Sequence, residues 1–332
     1  MEKKEPMKIS LTTAIMIILI VVLLIAGISY FIFINNNNSN ITNTNIQNIA
    51  LTNTITTPTV FEKLTMTEEE FPKVDGATAM LPMVGEITKS VLRYTDEQAK
   101  KYLDENTQGK SAKVYASLIN KEKDLIFVSE PSDDILRQAK EANVEFDMTG
   151  IGKDGFVFIV NKDNPVDSLT IEQIQKIYTG EITNWSQVGG NNEEIVAYQR
   201  EQNSGSQNLM EKMVMKGTKM KDAPAGLMIA SMEGLIDSVA KGYDNSKAAI
   251  GYSIYLYAKE QYVKDNIKFL SIDGVYPSDE TIANGTYPLS KIVYAVTRKD
   301  VPQDSSVRTL TKWLLTDEGQ KIVVAGGYSK LK

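Results

Sequence analysis

The sequence predicts an α/β protein whose sheets are mainly parallel. From Glu62 onward, short apolar runs alternate with amphipathic segments whose apolar residues recur at helical spacing. Strands separated by helices in this way are typical of α/β folds. About 270 residues follow the N-terminal segment, which is enough for one large domain or for two lobes of ordinary size.

Local sequence signals support the individual elements. Ser132 precedes two acidic residues and is a good N-cap, Thr170 and Gln173 form a capping box, and Gly180 stands where a helix C-terminal glycine belongs. The predicted strands are 124–128, 156–160, 195–198, 249–252 and 292–296. The predicted helices are 83–103, 133–142, 171–178, 206–215, 232–240 and 305–325.

The N-terminal segment is predicted to anchor the protein in a membrane. No charged residue occurs between Lys8 and Glu62, and the apolar segment 9–34 is long enough to cross a hydrocarbon core of about 30 Å. The alternative is a cleaved signal peptide, whose apolar core is usually shorter. Lysines before the span predict a cytoplasmic tail over 1–8 and a globular part on the outer face of the cell membrane. Residues 35–65 are rich in Asn and Thr, which favours a flexible tether.

Composition excludes several classes of function. The 332 residues include no Cys and no His, which removes the commonest general base and metal ligand and the usual zinc and iron–sulfur ligands. Carboxylate-bound Ca²⁺ or Mg²⁺ stays open in principle, but we expect no metal site and no cofactor. The net charge is −6 without a polybasic run, so nucleic acid is not expected as a partner.

The turn from Arg200 to Ser206 (Arg-Glu-Gln-Asn-Ser-Gly-Ser) is the most informative segment. It lies between a predicted strand and a predicted helix, where the first N–H groups of the helix have no internal partner and favour an anion. The guanidinium adds a forked donor that suits phosphate or carboxylate oxygens. The alternative is an ordinary Ser N-cap with a surface Arg nearby.

Three further polar clusters lie at predicted strand ends or helix starts. They are Asp75–Ala79, Lys110-Ser111 and Ser129-Glu130-Pro131. Ligands of open α/β sheets bind at the carboxyl ends of strands, and all three clusters fit that location. Each would also pass as a simple cap or turn.

Taken in order, these segments resemble the phosphate-binding receptors of bacterial ABC importers, which have a two-lobed type II periplasmic-binding-protein fold. The resemblance covers nearly all of 71–332. The block Ile177-Tyr-Thr-Gly-Glu-Ile-Thr-Asn-Trp185, followed by Gly189-Gly190, is the most recognisable part. The Arg200…Ser204-Gly-Ser206 turn matches the family's Arg…Ser-Gly-Thr. The resemblance implies one lobe formed by 66–155 with 276–332 and a second formed by 156–275.

The resemblance also implies the ligand-binding residues. Hydroxyl or backbone donors to the oxyanion would come from Thr78, Ala79 and Ser111 in the first lobe. Glu130 stands where the family commonly has Asp, and would accept the proton that phosphate retains and sulfate lacks. The second lobe would supply Arg200, Ser204, Gly205 and Ser206. Two departures are the longer Glu130 and the missing lipoprotein Cys, whose anchoring role the apolar segment would take.

These observations predict a monomeric, membrane-anchored receptor that closes its lobes over inorganic phosphate and delivers it to an ABC permease. Three alternatives stay open. A sensor or adaptor would bind phosphate without feeding an importer, and a receptor of the same fold would bind another oxyanion. A serine hydrolase or phosphatase built on Ser204 or Ser206 would need a base, and the chain has neither His nor a Gly-x-Ser-x-Gly elbow.

Overall fold

The computed structural model describes residues 63–242 and 247–331. The predicted cytoplasmic tail 1–8, the predicted anchor 9–34 and nearly all of the predicted tether 35–65 lie outside these residues. Within the described ranges, no helix combines the length and the apolar character that crossing a bilayer requires.

The described part has a mixed α/β fold with two lobes. Its strands are β1 Val74–Gly76, β2 Leu125–Val128, β3 Phe146–Asn161, β4 Ser168–Leu169, β5 Val196–Ala197, β6 Gln199–Arg200, β7 Met228–Ile229, β8 Ala249–Ile254, β9 Ile267–Phe269, β10 Ser271–Ile272 and β11 Ser290–Arg298. Its α-helices are α1 Leu81–Leu92, α2 Asp96–Asn106, α3 Ser111–Ile119, α4 Asp133–Glu141, α5 Ile171–Thr179, α6 Gly205–Leu209, α7 Met232–Lys241, α8 Asp279–Ala283, α9 Ser306–Trp313 and α10 Asp317–Ala325. Short π-helical segments follow α6 at Met210–Met215 and β8 at Tyr257–Gln261.

Strand β3 joins the two halves of the main sheet. Its residues from Phe146 to Gly155 pair with β11, apart from Ile151 at a register shift, and the residues from Phe156 to Val160 pair with β8. The sheet order is β1-β2-β11-β3-β8-β5, with β9 also paired to β3. One continuous strand therefore runs from one half of the molecule into the other.

The expectation of mainly parallel sheets is wrong for the main sheet, although the two small sheets β4–β10 and β6–β7 are parallel. The outer pairs β1–β2 and β5–β8 are parallel, but the four central pairs are antiparallel. These central pairs are β2–β11, β11–β3, β3–β8 and β3–β9. The cause is that β11 is antiparallel to β2 and β3 is antiparallel to β8, so the two parallel strand pairs are joined through antiparallel strands. The order of strands and helices along the chain does not reveal the direction of this pairing.

Two large hydrophobic cores lie on either side of this crossing. The first is built from residues between 66 and 127 and between 293 and 328, with Ile151 and Leu256. The second is built from residues between 156 and 289, with Ala79. A smaller cluster packs α3 and α4 against β2 and β11.

Two predicted long helices are each a pair of helices. The predicted helix 83–103 breaks after Leu92, because Arg93 is left-handed (φ 60°) and Thr95 forms a capping box that starts α2. The predicted helix 305–325 breaks after Trp313, and Thr316 caps α10. In both cases the apolar spacing continues across the break, which hides it from a reading of periodicity alone.

The predicted capping residues are confirmed. The Ser132 hydroxyl accepts from Ile135 N at 3.2 Å, and Thr170 and Gln173 cap α5 reciprocally. Gly180 ends α5 in the left-handed conformation with φ 85°. The observed starts of α4 and α5 therefore follow directly from local side-chain chemistry.

Candidate functional site

A cavity of about 360 Å³ lies where the two lobes meet. It is lined by the 77–81 turn, the start of α3, the 200–206 turn and residues 230–233 before and within α7. Seven of the eight predicted ligand-binding residues line it, and they are Thr78, Ala79, Ser111, Arg200, Ser204, Gly205 and Ser206.

The turn after β1 is held from behind by a buried carboxylate. Asp75 accepts from Gly76 N at 2.7 Å and from Gln108 N at 3.1 Å. Burial raises the pKa of Asp75 above its usual value, although these hydrogen bonds oppose the shift. The Thr78 hydroxyl donates to Gly109 O at 2.7 Å, which ties the same turn to the loop before α3. Thr78 also begins a 3₁₀ turn, whose first N–H groups have no partner within the turn.

Ser111 and Gly205 bring the two lobes into close approach at the cavity. Ser111 is the first residue of α3 and Gly205 the first of α6. A Cβ atom added to Gly205 would lie 2.7 Å from Ser111 Oγ, closer than real Cβ contacts. Any larger residue here would force the Ser111 hydroxyl to move or the two lobes to separate.

Arg200 is buried, with 6% of its surface exposed, and its guanidinium is fixed by neutral acceptors. Nε donates to Ile229 O at 3.0 Å, Nη1 to Ser206 Oγ at 3.1 Å and Nη2 to Ala230 O at 3.2 Å. Burial holds its pKa below the ordinary value. A guanidinium has five N–H donors, so these three bonds leave two for a ligand.

The two serines of the 200–206 turn both act as acceptors inside the protein. Ser204 Oγ accepts from Gln207 N at 3.2 Å, and Ser206 Oγ accepts from Arg200. A hydroxyl that accepts keeps its own proton to donate. Since these partners are donors and not bases, the arrangement suits anion binding and does not activate either serine as a nucleophile.

Glu130 is not among the residues that line the cavity, and its predicted role as the acceptor stays a prediction. Its side chain is exposed and accepts from Tyr294 Oη at 3.3 Å, while its backbone oxygen accepts from Asn208 Nδ2 at 2.7 Å. Ser129 lines the cavity in its place.

Lys291 lines the cavity and was not among the predicted residues. It lies on β11 directly opposite Asp154 of β3, and both side chains are almost completely buried. Its Nζ lies 3.3 Å from Ser129 Oγ and 4.0 Å from Asp154 Oδ2. Burial lowers the pKa of Lys291 and raises that of Asp154. No local motif marks this lysine, because its partner is 137 residues away in the chain.

Glu233 is a second lining residue that the sequence did not indicate. It is half-buried in the first turn of α7 and accepts a hydrogen bond from Tyr257 Oη. Burial favours its neutral form, but hydrogen bonds from Tyr257 and Ser231 and the charge of Arg200 outweigh burial and lower the pKa of Glu233. Across residues 63–242 and 247–331, no three acidic side chains gather as a metal site would require.

Four hydrogen bonds cross between the lobes at one side of the cavity. Asn203 accepts from Ser132 Oγ and donates to Asp134 Oδ2, each at 3.0 Å. Asn208 donates to Glu130 O and Lys212 to Pro131 O, each at 2.7 Å. The lobes are therefore joined by polar contacts beside the cavity, and Asn203 both makes two of them and lines the cavity.

Comparison with known proteins agrees with this geometry. Among curated relatives, phosphate-binding protein PstS of Borreliella burgdorferi is 26% identical over 269 residues, covering 80% of this chain and 91% of that protein. PstS of Staphylococcus saprophyticus is 26% identical, covering 76% and 78%. The resemblance to phosphate-binding receptors that the motifs indicate is confirmed by these relatives.

Solved structures give the same fold. A phosphate ABC transporter substrate-binding protein of Clostridium perfringens, solved with bound phosphate, matches with a TM-score of 0.59 and 25% identity, over 81% of this chain and 99% of that one. An ABC-type phosphate transport receptor of Vibrio cholerae matches in fold with a TM-score of 0.57 and 23% identity, over 80% and 99%. The sequence model of the PBP superfamily domain matches residues 33–318, and the chain therefore belongs to the PBP superfamily.

Proposed function

We propose that this protein captures inorganic phosphate between its two lobes and delivers it to an ABC permease. The observation that carries the proposal is the convergence of Thr78, Ser111, Arg200 and Ser206 on one cavity, from segments far apart in the chain. The two unused N–H groups of Arg200 and the serine hydroxyl protons are donors, which is what a tetrahedral oxyanion needs. The relatives named as phosphate-binding proteins support the same ligand.

The proposed lobes follow the two hydrophobic cores, except that Ala79, Ile282, Tyr287 and Leu289 pack in the second core and Leu256 packs in the first. Residues 66–155 with 276–332 form the first lobe, and residues 156–275 form the second. The continuous strand β3 passes between them at Gly155 and Phe156, where its partner changes from β11 to β8. Closure about this crossing would bring the first-lobe donors towards Arg200.

Selectivity for phosphate is assigned to Glu233, since Glu130 lies outside the cavity. An ionised carboxylate only accepts hydrogen bonds, and phosphate near neutral pH retains a proton to donate whereas sulfate does not. Sulfate would place an unprotonated oxygen against the Glu233 carboxylate. A buried polar group left without a partner costs about 1–3 kcal/mol, and more when it is charged.

The cellular role rests on the N-terminal segment and on the relatives. The apolar run 9–34 would hold the globular part on the outer face of the membrane, as a monomer beside the permease. Binding to phosphate without import, as in a sensor, would use the same cavity. Phosphate uptake by cells that carry or lack the chain separates the two roles, since only an importer component changes uptake.

Titration calorimetry of the full-length chain in detergent tests the ligand. Heat is expected with phosphate and little or none with sulfate or molybdate at equal concentration. Absence of binding to phosphate, in protein whose thermal unfolding is cooperative, would overturn the proposed function. Stronger binding of sulfate or molybdate would identify a different oxyanion as the ligand of the same two-lobed binding protein.

A further inference from the structure

The ammonium group of Lys291 lies at the cavity and has few hydrogen-bond partners in the protein. The side chain is 4% exposed, yet the residue lines the cavity. Its contact with Ser129 Oγ is 3.3 Å, at the long end for a hydrogen bond, and Asp154 Oδ2 at 4.0 Å is beyond hydrogen-bonding distance.

The carboxylate of Asp154 makes its hydrogen bonds through one oxygen only, and they are to backbone N–H groups. Its Oδ1 accepts from Gly155 N at 2.7 Å and Leu256 N at 3.3 Å, while Oδ2 accepts no hydrogen bond from the described residues. A lysine that served only to neutralise this carboxylate would be expected to close on Oδ2. The distance leaves the ammonium, which has three donors, with unused hydrogen-bonding capacity beside the cavity.

We propose that Lys291 is a direct ligand of the bound oxyanion, supplying a second cation from the first lobe opposite Arg200 of the second. This inference rests on the proposed phosphate function. Asp154 then balances the charge of the empty site, because a buried ammonium without a counter-charge is costly. With one cation on each lobe, the anion itself draws the lobes together, and a dianion does so more strongly than a monoanion.

The competing explanation is that Lys291 only compensates the buried charge of Asp154. The double variant Lys291→Met/Asp154→Asn separates the two, because it removes the ion pair as a unit and leaves neither charge without a partner. Asp154→Asn alone keeps the ammonium and is the matched reference. Thermal unfolding of each variant shows that it is folded.

Phosphate titration of the full-length chain gives the result. If Lys291 binds the ligand, the double variant binds phosphate about tenfold to a hundredfold more weakly than wild type, the loss of one charge-assisted hydrogen bond. Asp154→Asn is expected to bind phosphate at least as tightly as wild type, because the anion then becomes the counter-charge of the buried ammonium. Equal affinity of the double variant and wild type would overturn the inference while leaving the proposed function intact, whereas failure of wild type to bind phosphate would overturn the proposed function.

A measurement on wild-type protein covers the case in which the double variant does not fold. In protein labelled with ¹³C at lysine Cε, the resonance of Lys291, assigned by its absence from Lys291→Arg, should shift on saturation with phosphate. An exposed lysine such as Lys101 should not shift. An unchanged Lys291 resonance at saturating phosphate would contradict direct contact.

Discussion

Ser111 and Gly205 meet across the cleft so closely that a Cβ atom on Gly205 would lie 2.7 Å from the serine hydroxyl oxygen. Gly205 does not have a positive φ, so its backbone conformation is compatible with alanine. The only close contact of the added Cβ atom would be with Ser111 of the opposite lobe. Gly205→Ala is therefore expected to hold the lobes apart and weaken phosphate binding about tenfold, since overpacking costs about 1–3 kcal/mol. Calorimetry measures the affinity, and X-ray scattering with phosphate measures the compactness.

Two variants make this test specific. Gly226→Ala is the control, because a Cβ atom there meets nothing within 4 Å. In Ser111→Ala/Gly205→Ala the nearest atom becomes Ser111 Cβ at 3.7 Å, which is ordinary contact. The double variant should regain the compactness that Gly205→Ala loses. A Gly205→Ala protein that closes and binds like wild type would show that this approach does not limit closure.

Phosphate affinity should fall even when Arg200 is replaced by lysine, which keeps the positive charge. The guanidinium is fixed by Ile229 O and Ala230 O while two donors stay free for the ligand, and a lysine ammonium cannot reproduce this fork. Arg200→Lys and Arg200→Ala are both expected to weaken phosphate binding at least tenfold, because hydrogen bonds to charged groups contribute about 1.5–3 kcal/mol. Arg93→Ala removes an exposed arginine, which donates to Thr65 Oγ1, as a control and should bind normally. Tight binding by Arg200→Ala would place the ligand elsewhere.

Local chemistry made much of this molecule predictable. The caps at Ser132 and Thr170 and the turn at 200–206 depend on residues within a few positions of one another, and the structure has them where the sequence indicates. The breaks after Leu92 and Trp313 were missed because apolar spacing continues across them. The antiparallel centre of the sheet was missed because pairing between β3 and β11 is long-range.

The same division applies to the site. Arg200, Ser204 and Ser206 were found because they share one turn whose chemistry is visible in seven residues. Ser129 lines the cavity and Glu130 does not, a difference between two neighbours after β2 that the sequence does not reveal. Lys291 and Glu233 reach the cavity only through sheet register and the placement of α7. Such residues are visible only once the chain is folded.

Selectivity should depend on Glu233 and not on Glu130. Glu233→Gln provides an amide that can donate to an unprotonated oxygen, so sulfate binding should rise and the preference for phosphate over sulfate should fall by tenfold or more. Glu130→Gln is the matched control on an exposed carboxylate outside the cavity, and its preference should stay unchanged. Competition titrations with both anions at pH 7 measure the ratio. Loss of preference in Glu130→Gln with none in Glu233→Gln would reverse the assignment.

Asn203 should tune how long the lobes stay closed. It bonds to Ser132 and Asp134 of the other lobe while holding a positive φ of 65°. Asn203→Gly keeps the backbone conformation accessible but removes both bonds, each of which contributes about 0.5–1.5 kcal/mol. Phosphate should dissociate several-fold to tenfold faster in stopped-flow measurements, with little change in thermal stability. Asn143→Gly makes the same exchange at φ 53° on an exposed site of the first lobe and should leave the rate unaltered. Equal dissociation rates in the two variants would mean that the Asn203 contacts do not hold the cleft shut.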